Sequence, residues 1–211
     1  MLADSQGRAA HVCISPNCDQ RPGGETDVSL VVVHAISLPP NRFGGDAVQR
    51  LFTNALNPNG HPFFREIYQL RVSSHYFIRR DGELIQFVPP EMRAWHAGVS
   101  SWRGRDRCND FSIGVELEGC DTLPFEPVQY EVLAQLIVEF CGRFPIQGVT
   151  GHSNIAPGRK TDPGPLFSWR RLRGLLYSIA GGELADMVES GDEDGVRWMN
   201  WPFPIRDRPI G

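Results

Sequence analysis

Three residues that lie far apart in the sequence carry side chains that suit a metal ion. His34 and His152 each stand at the end of a short apolar run, and Asp162 comes ten residues after His152, before a Pro-Gly-Pro turn. Two imidazoles and one carboxylate give Zn²⁺ three ligands and leave a fourth position open, as in catalytic zinc sites. A histidine at a strand end is more often a hydrogen-bonded structural residue, so spacing alone leaves both interpretations open.

Two acidic residues of one predicted strand are candidates for proton transfer. Glu116 and Glu118 lie in FSIGVELE (111–118) and point to the same face, because side chains alternate along a strand. A carboxylate beside a metal-activated water can act as its general base. The alternative is a pair of solvent-facing acids on an edge strand, and the residues themselves do not decide between the two.

Lys160 is the single lysine of the chain, since 20 of the 21 basic residues are arginines. It precedes Asp162 by two residues, so a metal bound to Asp162 would lie close to it. An ammonium group in that position can stabilise the oxyanion of a tetrahedral intermediate. Arginine does not replace this compact charge. The alternative interpretation is an ordinary surface lysine.

The elements that position these residues follow from the hydrophobic pattern. The β-branched run SLVVVHAI (29–36) predicts a strand buried on both faces. Two further β-rich runs within 74–88 flank Asp81-Gly82, which predicts a hairpin. Apolar residues recur at three and four positions over 127–144, which predicts a helix with Pro127 at its first position. The remaining predicted elements are helices over 46–56 and 166–180 and strands over 111–118 and 146–152.

This order of elements predicts an α/β fold, a single domain with a central mixed β-sheet flanked by helices. We expect this domain to span residues 1–180. Residues 181–211 differ in composition, because an acidic stretch is followed by aromatic residues among prolines. The acidic part is predicted to be a solvated or disordered tail.

Composition and charge argue against several classes of function. The net charge is -4 and the arginines are scattered among acids, so nucleic acid is not an expected partner. No apolar run is long enough to span a bilayer, and the first residues do not resemble a secretory signal. We therefore expect a cytoplasmic protein without membrane contact. Five irregularly spaced cysteines favour reduced thiols over a disulfide framework.

Four long segments resemble the AmpD family of 1,6-anhydro-N-acetylmuramyl-L-alanine amidases, over about residues 10 to 178. This resemblance implies the amidase fold shared with peptidoglycan recognition proteins. It also implies zinc-dependent hydrolysis of the amide bond between the lactyl group of (anhydro-)N-acetylmuramic acid and L-alanine, in cytoplasmic peptidoglycan recycling. The segments are LVVVHAISLPPNRFGG, LRVSSHYFIRRDGELIQFVP, RAWHAGVSSWRGRDRCNDFSIGVELEGCDTLPF and VTGHSNIAPGRKTDPGPLFSW.

The resemblance also implies roles for particular residues. One Zn²⁺ is expected on His34, His152 and Asp162, with Glu116 rather than Glu118 as the catalytic glutamate and Lys160 as its partner. The residues expected to bind substrate are Trp95 and Arg71 near the anhydro-sugar, Arg107 and Asn109 near the diaminopimelate of the stem peptide, and Ala156 in the loop that lines the groove. His75 and His96 are expected to be structural, and core packing is an equal alternative for Trp95.

The resemblance is not complete. Family members often carry asparagine after the first zinc histidine, whereas this chain has Ala35. The expected partner is an anhydro-muropeptide substrate, with no obligate protein partner. Two alternatives remain: a non-catalytic muropeptide-binding module, and an amidase that acts on polymeric peptidoglycan. Retention of the three ligand positions with Glu116 and Lys160 argues against the first, and the RKTDPGP motif argues against the second.

Overall fold

The computed structural model describes residues 10–189, which form a six-stranded β-sheet, two short two-stranded sheets and six α-helices. The strands are β1 (His11–Val12), β2 (Cys18–Gln20), β3 (Leu30–Ile36), β4 (Tyr76–Ile78), β5 (Leu84–Gln86), β6 (Met92–Ala94), β7 (Ser101–Trp102), β8 (Arg105–Asp106), β9 (Ser112–Glu118) and β10 (Gly148–Gly151). The helices are α1 (Ala47–Phe52), α2 (Phe64–Ile67), α3 (Pro127–Arg143), α4 (His152–Ile155), α5 (Trp169–Ala180) and α6 (Gly182–Ala185).

The main sheet is mixed, as the sequence predicts. Its strand order is β1-β5-β4-β9-β3-β10, and only the β4-β5 hairpin around Asp81-Gly82 is antiparallel. The smaller sheets pair β2 with β6 and β7 with β8. The predicted α/β architecture, with a central mixed sheet and flanking helices, is therefore confirmed.

One face of the main sheet carries the larger hydrophobic core. Alternate residues of the central strands, such as Val31, Val33 and Val115, pack against the apolar sides of α3 and α5. All three are fully buried. Burial of this kind stabilises the fold by about 25 cal/mol for each Å² of apolar surface removed from water. The two helices therefore cover β3 and β9 on this face of the sheet.

The opposite face carries two smaller apolar clusters with a polar strip between them. Leu30 and Val32 pack with Trp102 and Phe111 at one end, whereas Phe77 packs with α1 at the other. Between these clusters the same face presents residues of β3 and β9 that have polar side chains or, at Gly114, none. The functional candidates therefore lie on the face that the two long helices leave free.

The central position of β9 rules out the edge-strand alternative for its two acids. The strand lies between β3 and β4, and Glu116 and Glu118 are both buried. Gln129 in α3 donates its amide hydrogens to the carbonyl oxygens of Glu118 and Ile78, at 3.1 and 3.2 Å. The beginning of α3 is thereby fixed to the ends of β9 and β4.

Several short elements were not expected from the sequence. The structure contains β1 and β2 before residue 21 and α2 after residue 56, for which the hydrophobic pattern predicts no element. Residues 182–189 also form a helix and a bridge to Val149. The aromatic residues Trp198, Trp201 and Phe203 lie outside the described residues.

Two further observations concern cysteines and membranes. All five cysteines are free thiols in the structure. None of the helices between residues 10 and 189 has the length and apolar character that crossing a bilayer requires.

Candidate metal centre and active site

The pairing of β3 with β10 brings the two candidate histidines together. These strands are parallel, and Val33 lies opposite Gly151 in their register. His34 is the next residue of β3, and His152 follows Gly151 as the first residue of α4. Both histidines are buried, at 1% and 3% exposure. Residues 118 positions apart in the chain thus lie side by side because of strand register.

The loop after α4 returns Asp162 to the same place. The backbone N–H of Ser153 donates to the carbonyl oxygen of Asp162 at 2.8 Å, which holds the loop against α4. Asp162 Oδ2 then lies 3.0 Å from Nδ1 of His34 and 3.1 Å from Nδ1 of His152. The two Nδ1 atoms are 3.0 Å apart. Three potential ligand atoms therefore form a nearly equilateral triangle.

The electrostatics of this triangle favour a cation. Burial lowers the pKa of His34 to about 4, so its ring is neutral near pH 7. Burial acts to raise the pKa of Asp162, but the close contacts of its Oδ2 with the rings of His152 and His34 outweigh that effect, and the pKa lies well below its ordinary value. A neutral imidazole and an ionised carboxylate are the forms that bind metals.

The far side of the His152 ring is fixed by a backbone carbonyl. His152 Nε2 lies 3.0 Å from the carbonyl oxygen of Ala97, which can only accept a hydrogen bond. In the tautomer that this contact selects, the proton is on Nε2, and the lone pair of Nδ1 points into the triangle. Arg159 Nη2 donates to the same carbonyl at 2.7 Å and to that of Val99 at 2.6 Å.

The two glutamates of β9 differ in their hydrogen bonds. Glu118 accepts from the backbone N–H groups of Gly44 and Arg80, at 2.5 and 3.2 Å. Glu116 lies opposite His34 in the β3-β9 register, and its buried Oε2 has no hydrogen-bond partner among the described residues. Burial raises the pKa of Glu116 well above its ordinary value, and the charge of Asp162 raises it further. Of the two glutamates, Glu116 is therefore the one with a free oxygen that can accept a proton.

Lys160 stands on the same loop as Asp162 and is exposed. Its backbone N–H donates to the carbonyl oxygen of Ala156 at 3.1 Å. Its positive charge lies near enough to oppose part of the rise in the pKa of Glu116 that burial and Asp162 produce. A cation, a buried carboxylate and three candidate metal ligands thus meet on one face of the sheet.

Comparison with known proteins identifies this arrangement. Residues 24–165 match the family model described as N-acetylmuramoyl-L-alanine amidase (Amidase_2). The chain belongs to this amidase family. The match covers every candidate ligand and catalytic position, from His34 to Asp162. The chain is therefore an amidase, which confirms the enzyme class that the resemblance implies.

Curated relatives narrow the subfamily of the amidase. The chain is 57% identical over 172 residues to the 1,6-anhydro-N-acetylmuramyl-L-alanine amidase AmpD of Citrobacter freundii. That match covers 81% of this chain and 91% of the relative. The chain is 56% identical over 164 residues to AmpD of Escherichia coli K12, which covers 77% and 89%. The resemblance to the AmpD family is thereby confirmed.

Solved structures agree with the fold of the amidase. A crystal structure of a selenomethionine AmpD derivative superposes with a TM-score of 0.78 at 55% identity, over 83% of this chain and 99% of that one. The E. coli amidase AmiD, in complex with its substrate anhydro-N-acetylmuramic acid-L-Ala-D-γ-Glu-L-Lys, gives a TM-score of 0.53 at 31% identity. That match covers 74% of this chain and 60% of AmiD.

The residues expected to bind substrate in the amidase have different surroundings. Trp95 is partly buried and donates from Nε1 to Asp19 at 3.2 Å. Arg71 is exposed, and its guanidinium donates to backbone carbonyls of its own segment, Gln69 and Leu70. The roles assigned to Trp95 and Arg71 remain predictions.

The stem-peptide candidates also differ from one another. The Arg107 side chain is 72% exposed and pairs with Asp110 at 3.2 Å. Asn109 Oδ1 accepts hydrogen bonds from the backbone N–H groups of His96 and Ala97, at 3.0 and 2.8 Å. This oxygen therefore already holds the backbone of the segment that carries His96. Ala156 is buried, and its carbonyl oxygen anchors the loop of Lys160. These roles also remain predictions.

Two residues that contact the amidase site were missed by sequence reasoning. Arg159 holds the carbonyls above His152, and its position next to Lys160 was the available signal. Ser112 contacts the ring of His96 at 3.2 Å, and no local sequence signal distinguishes it from any other strand serine.

Proposed function

We propose that the amidase hydrolyses the amide bond between the lactyl group of (anhydro-)N-acetylmuramic acid and L-alanine in muropeptides, with one Zn²⁺ held by His34, His152 and Asp162. The observation that carries this proposal is the triangle of two Nδ1 atoms and one carboxylate oxygen, 3.0–3.1 Å apart. Beside it lies the buried Oε2 of Glu116, which has no hydrogen-bond partner within the described part of the chain. The names of the AmpD relatives support the substrate class.

The three side chains fit zinc in spacing and in charge. Tetrahedral Zn²⁺ with ligand distances of about 2.0–2.1 Å requires neighbouring ligand atoms about 3.3 Å apart. The observed separations differ from this by a few tenths of an ångström, which side-chain rotation accommodates. Zinc, when bound, polarises the scissile carbonyl and lowers the pKa of a water to about 7.

Glu116 is the proposed general base and acid. Its unpartnered oxygen takes a proton from the attacking water as the water oxygen bonds to the lactyl carbonyl carbon. The same proton then passes to the nitrogen of L-alanine as the carbon–nitrogen bond breaks. The products are the free muramyl carboxylic acid and the stem peptide with a free amine.

Lys160 is the proposed stabiliser of the developing oxyanion. Its ammonium group is the cation closest in sequence to the proposed ligand Asp162. The positive charge of Lys160 acts to lower the pKa of both His34 and Glu116. Preorganised charges at such positions contribute about 10²–10³ to kcat. Trp95 and Arg71 are proposed to contact the sugar, and Arg107, Asn109 and Ala156 the stem peptide. The AmiD complex supports a ligand of this chemistry in a related fold.

The decisive experiment replaces the two glutamates of β9 in parallel. Glu116→Ala and Glu116→Gln are expected to keep zinc but to lose about 10²-fold or more in kcat, because the proton acceptor is gone. Glu118→Gln is the matched control, because Glu118 lies on the same strand but its carboxylate accepts hydrogen bonds from the backbone N–H groups of Gly44 and Arg80. Near-native turnover of Glu116→Ala, measured by release of L-alanyl peptide, would contradict the assignment.

A second measurement separates the alternatives of substrate and activity. The zinc-loaded protein is assayed on purified anhydro-muropeptide and on intact peptidoglycan sacculi. We expect cleavage of the soluble anhydro-muropeptide to be strongly preferred, consistent with a role in cytoplasmic recycling. Preference for sacculi would indicate an amidase of polymeric wall, and binding without cleavage would indicate a recognition module.

A further inference from the structure

A chain of polar groups continues from His34 away from the ligand triangle. His34 Nε2 lies 2.9 Å from Nδ1 of His96, and the two rings meet edge to face with centroids 5.0 Å apart. On its other side, Nε2 of His96 lies 3.2 Å from Oγ of Ser112. Ser112 Oγ in turn lies 2.6 Å from the carbonyl oxygen of Cys108.

The carbonyl oxygen of Cys108 fixes the direction of each hydrogen bond in this series of polar groups. A carbonyl oxygen only accepts, so the single hydroxyl hydrogen of Ser112 is donated to Cys108. Ser112 Oγ therefore accepts from Nε2–H of His96. A neutral His96 then carries a lone pair on Nδ1, which accepts from Nε2–H of His34. The remaining nitrogen of His34, Nδ1, is left with its lone pair directed into the triangle.

We propose that His96 and Ser112 are positioning residues, which hold His34 in the tautomer whose Nδ1 lone pair is available to the metal. This inference rests on the proposed zinc site. His152 obtains the same tautomer from the carbonyl of Ala97, whereas the group that faces Nε2 of His34 is a second imidazole, that of His96. Partners of this kind typically change metal affinity by about 10–100-fold.

The surrounding structure holds the His96 ring in place from two directions. A Cβ atom added at Gly114 would lie 2.5 Å from Cγ of His96, so the glycine makes room for the ring on the face of β9. The backbone N–H of His96 donates to Asn109 Oδ1 at 3.0 Å. Because both the ring and the backbone are constrained, the acceptor atom stays where His34 requires it.

The first experiment measures zinc affinity by competition with a chelator, and the tautomer of His34 by ¹⁵N NMR of the zinc-free protein. His96→Leu removes the acceptor and is expected to weaken zinc binding by about 10–100-fold and to let His34 populate the Nδ1–H tautomer. His96→Asn keeps an acceptor oxygen near the position of Nδ1 and is expected to restore most of both. His11→Leu, at a side chain 63% exposed, is the control for loss of a histidine.

Other outcomes bear on separate claims. Unchanged affinity and tautomer in His96→Leu would overturn the inference while leaving the zinc site intact. If native protein binds no zinc, the proposed function fails first. Should His96→Leu fail to fold, Ser112→Ala tests the same chain with the loss of one oxygen. There we expect a mixture of His34 tautomers and a smaller loss of affinity, and a native tautomer with native affinity overturns the inference.

Discussion

At the scale of single residues, Glu116 shows how a site can oppose the stability of its own fold. Its buried Oε2 has no partner among residues 10–189, whereas the carboxylate of Glu118 accepts hydrogen bonds from backbone N–H groups. An ionised carboxylate without partners is costly inside a protein. In the proposed mechanism, this free oxygen is the atom that accepts a proton from water.

This cost predicts a pH-dependent effect of Glu116→Gln on the metal-free protein. Burial raises the folded pKa of Glu116 above its unfolded value of about 4.3. The stability that Glu116 contributes is therefore fully present below that pH and is lost as pH rises through the folded pKa. Glutamine does not titrate, so we expect its melting midpoint to exceed that of the native chain increasingly from pH 4 to pH 8.

Thermal melts in the presence of a chelator measure this difference. Each kcal/mol corresponds to a shift of about 2–4 °C in a chain of this size. Glu118→Gln serves as the comparison, and we expect its midpoint to fall because it weakens charge-assisted hydrogen bonds. Melting curves of Glu116→Gln that follow the native ones at every pH would show that the carboxylate carries no such cost.

A second prediction at this scale concerns the single lysine. Lys160→Met is expected to lower kcat by about 10²–10³-fold with zinc content unchanged, because the oxyanion loses a preorganised cation. Lys160→Arg is not expected to restore native activity, since the guanidinium is larger and planar. Steady-state kinetics with metal analysis tests both. Full activity in Lys160→Met would make it an ordinary surface residue.

At the scale of elements, β9 leaves space for the ring of His96 as well as carrying Glu116, the proposed base. Gly114→Ala would bring a methyl group 2.5 Å from His96 Cγ. We expect this variant to lose about 1–3 kcal/mol of unfolding free energy from overpacking and to bind zinc more weakly. Gly174→Ala in α5 is the matched control, because no described atom beyond its chain neighbours and its own helix backbone lies within 4 Å of the added Cβ.

The two glycine variants are expected to change in opposite directions. Gly174 is exposed within a helix, where alanine is favoured by about 0.5–1 kcal/mol. Denaturant unfolding and chelator competition on both variants make the comparison. A Gly114→Ala protein that matches the native one in stability and zinc affinity would mean that the His96 ring moves aside freely.

The elements also show what sequence can and cannot predict here. The strand that carries His34 is predicted by a continuous β-branched apolar run, and the strand that carries Glu116 is predicted by the strong alternation in FSIGVELE. The central place of β9 was not, because strand order depends on pairing between segments far apart, and this order decides that Glu116 is buried. The His96 to Ser112 hydrogen bonds depend on ring orientation, which no spacing in the sequence encodes.

At the scale of the whole molecule, the sheet is completed by a segment that sequence reasoning placed in the tail. The backbone N–H of Val149 in β10 donates to Met187 at 2.8 Å, and that of Glu189 donates back to Val149 at 2.7 Å. Val188 between them is 3% exposed. The Glu189 carboxylate also accepts from Trp102 Nε1 at 2.9 Å. These contacts cover the outer edge of the strand that leads directly into His152.

This packing predicts different behaviour for two shortened chains, one ending at residue 180 and one at residue 189. Loss of residues 181–189 removes the buried side chains of Ala185 and Val188, which costs about 1.5–3 kcal/mol for a side chain the size of valine, and it removes the partners of β10. We expect the chain ending at 180 to melt roughly 5 °C or more below the chain ending at 189. Because β10 positions His152, its zinc affinity should fall as well. Equal midpoints and equal affinities would place the functional boundary at residue 180, where the sequence predicts it.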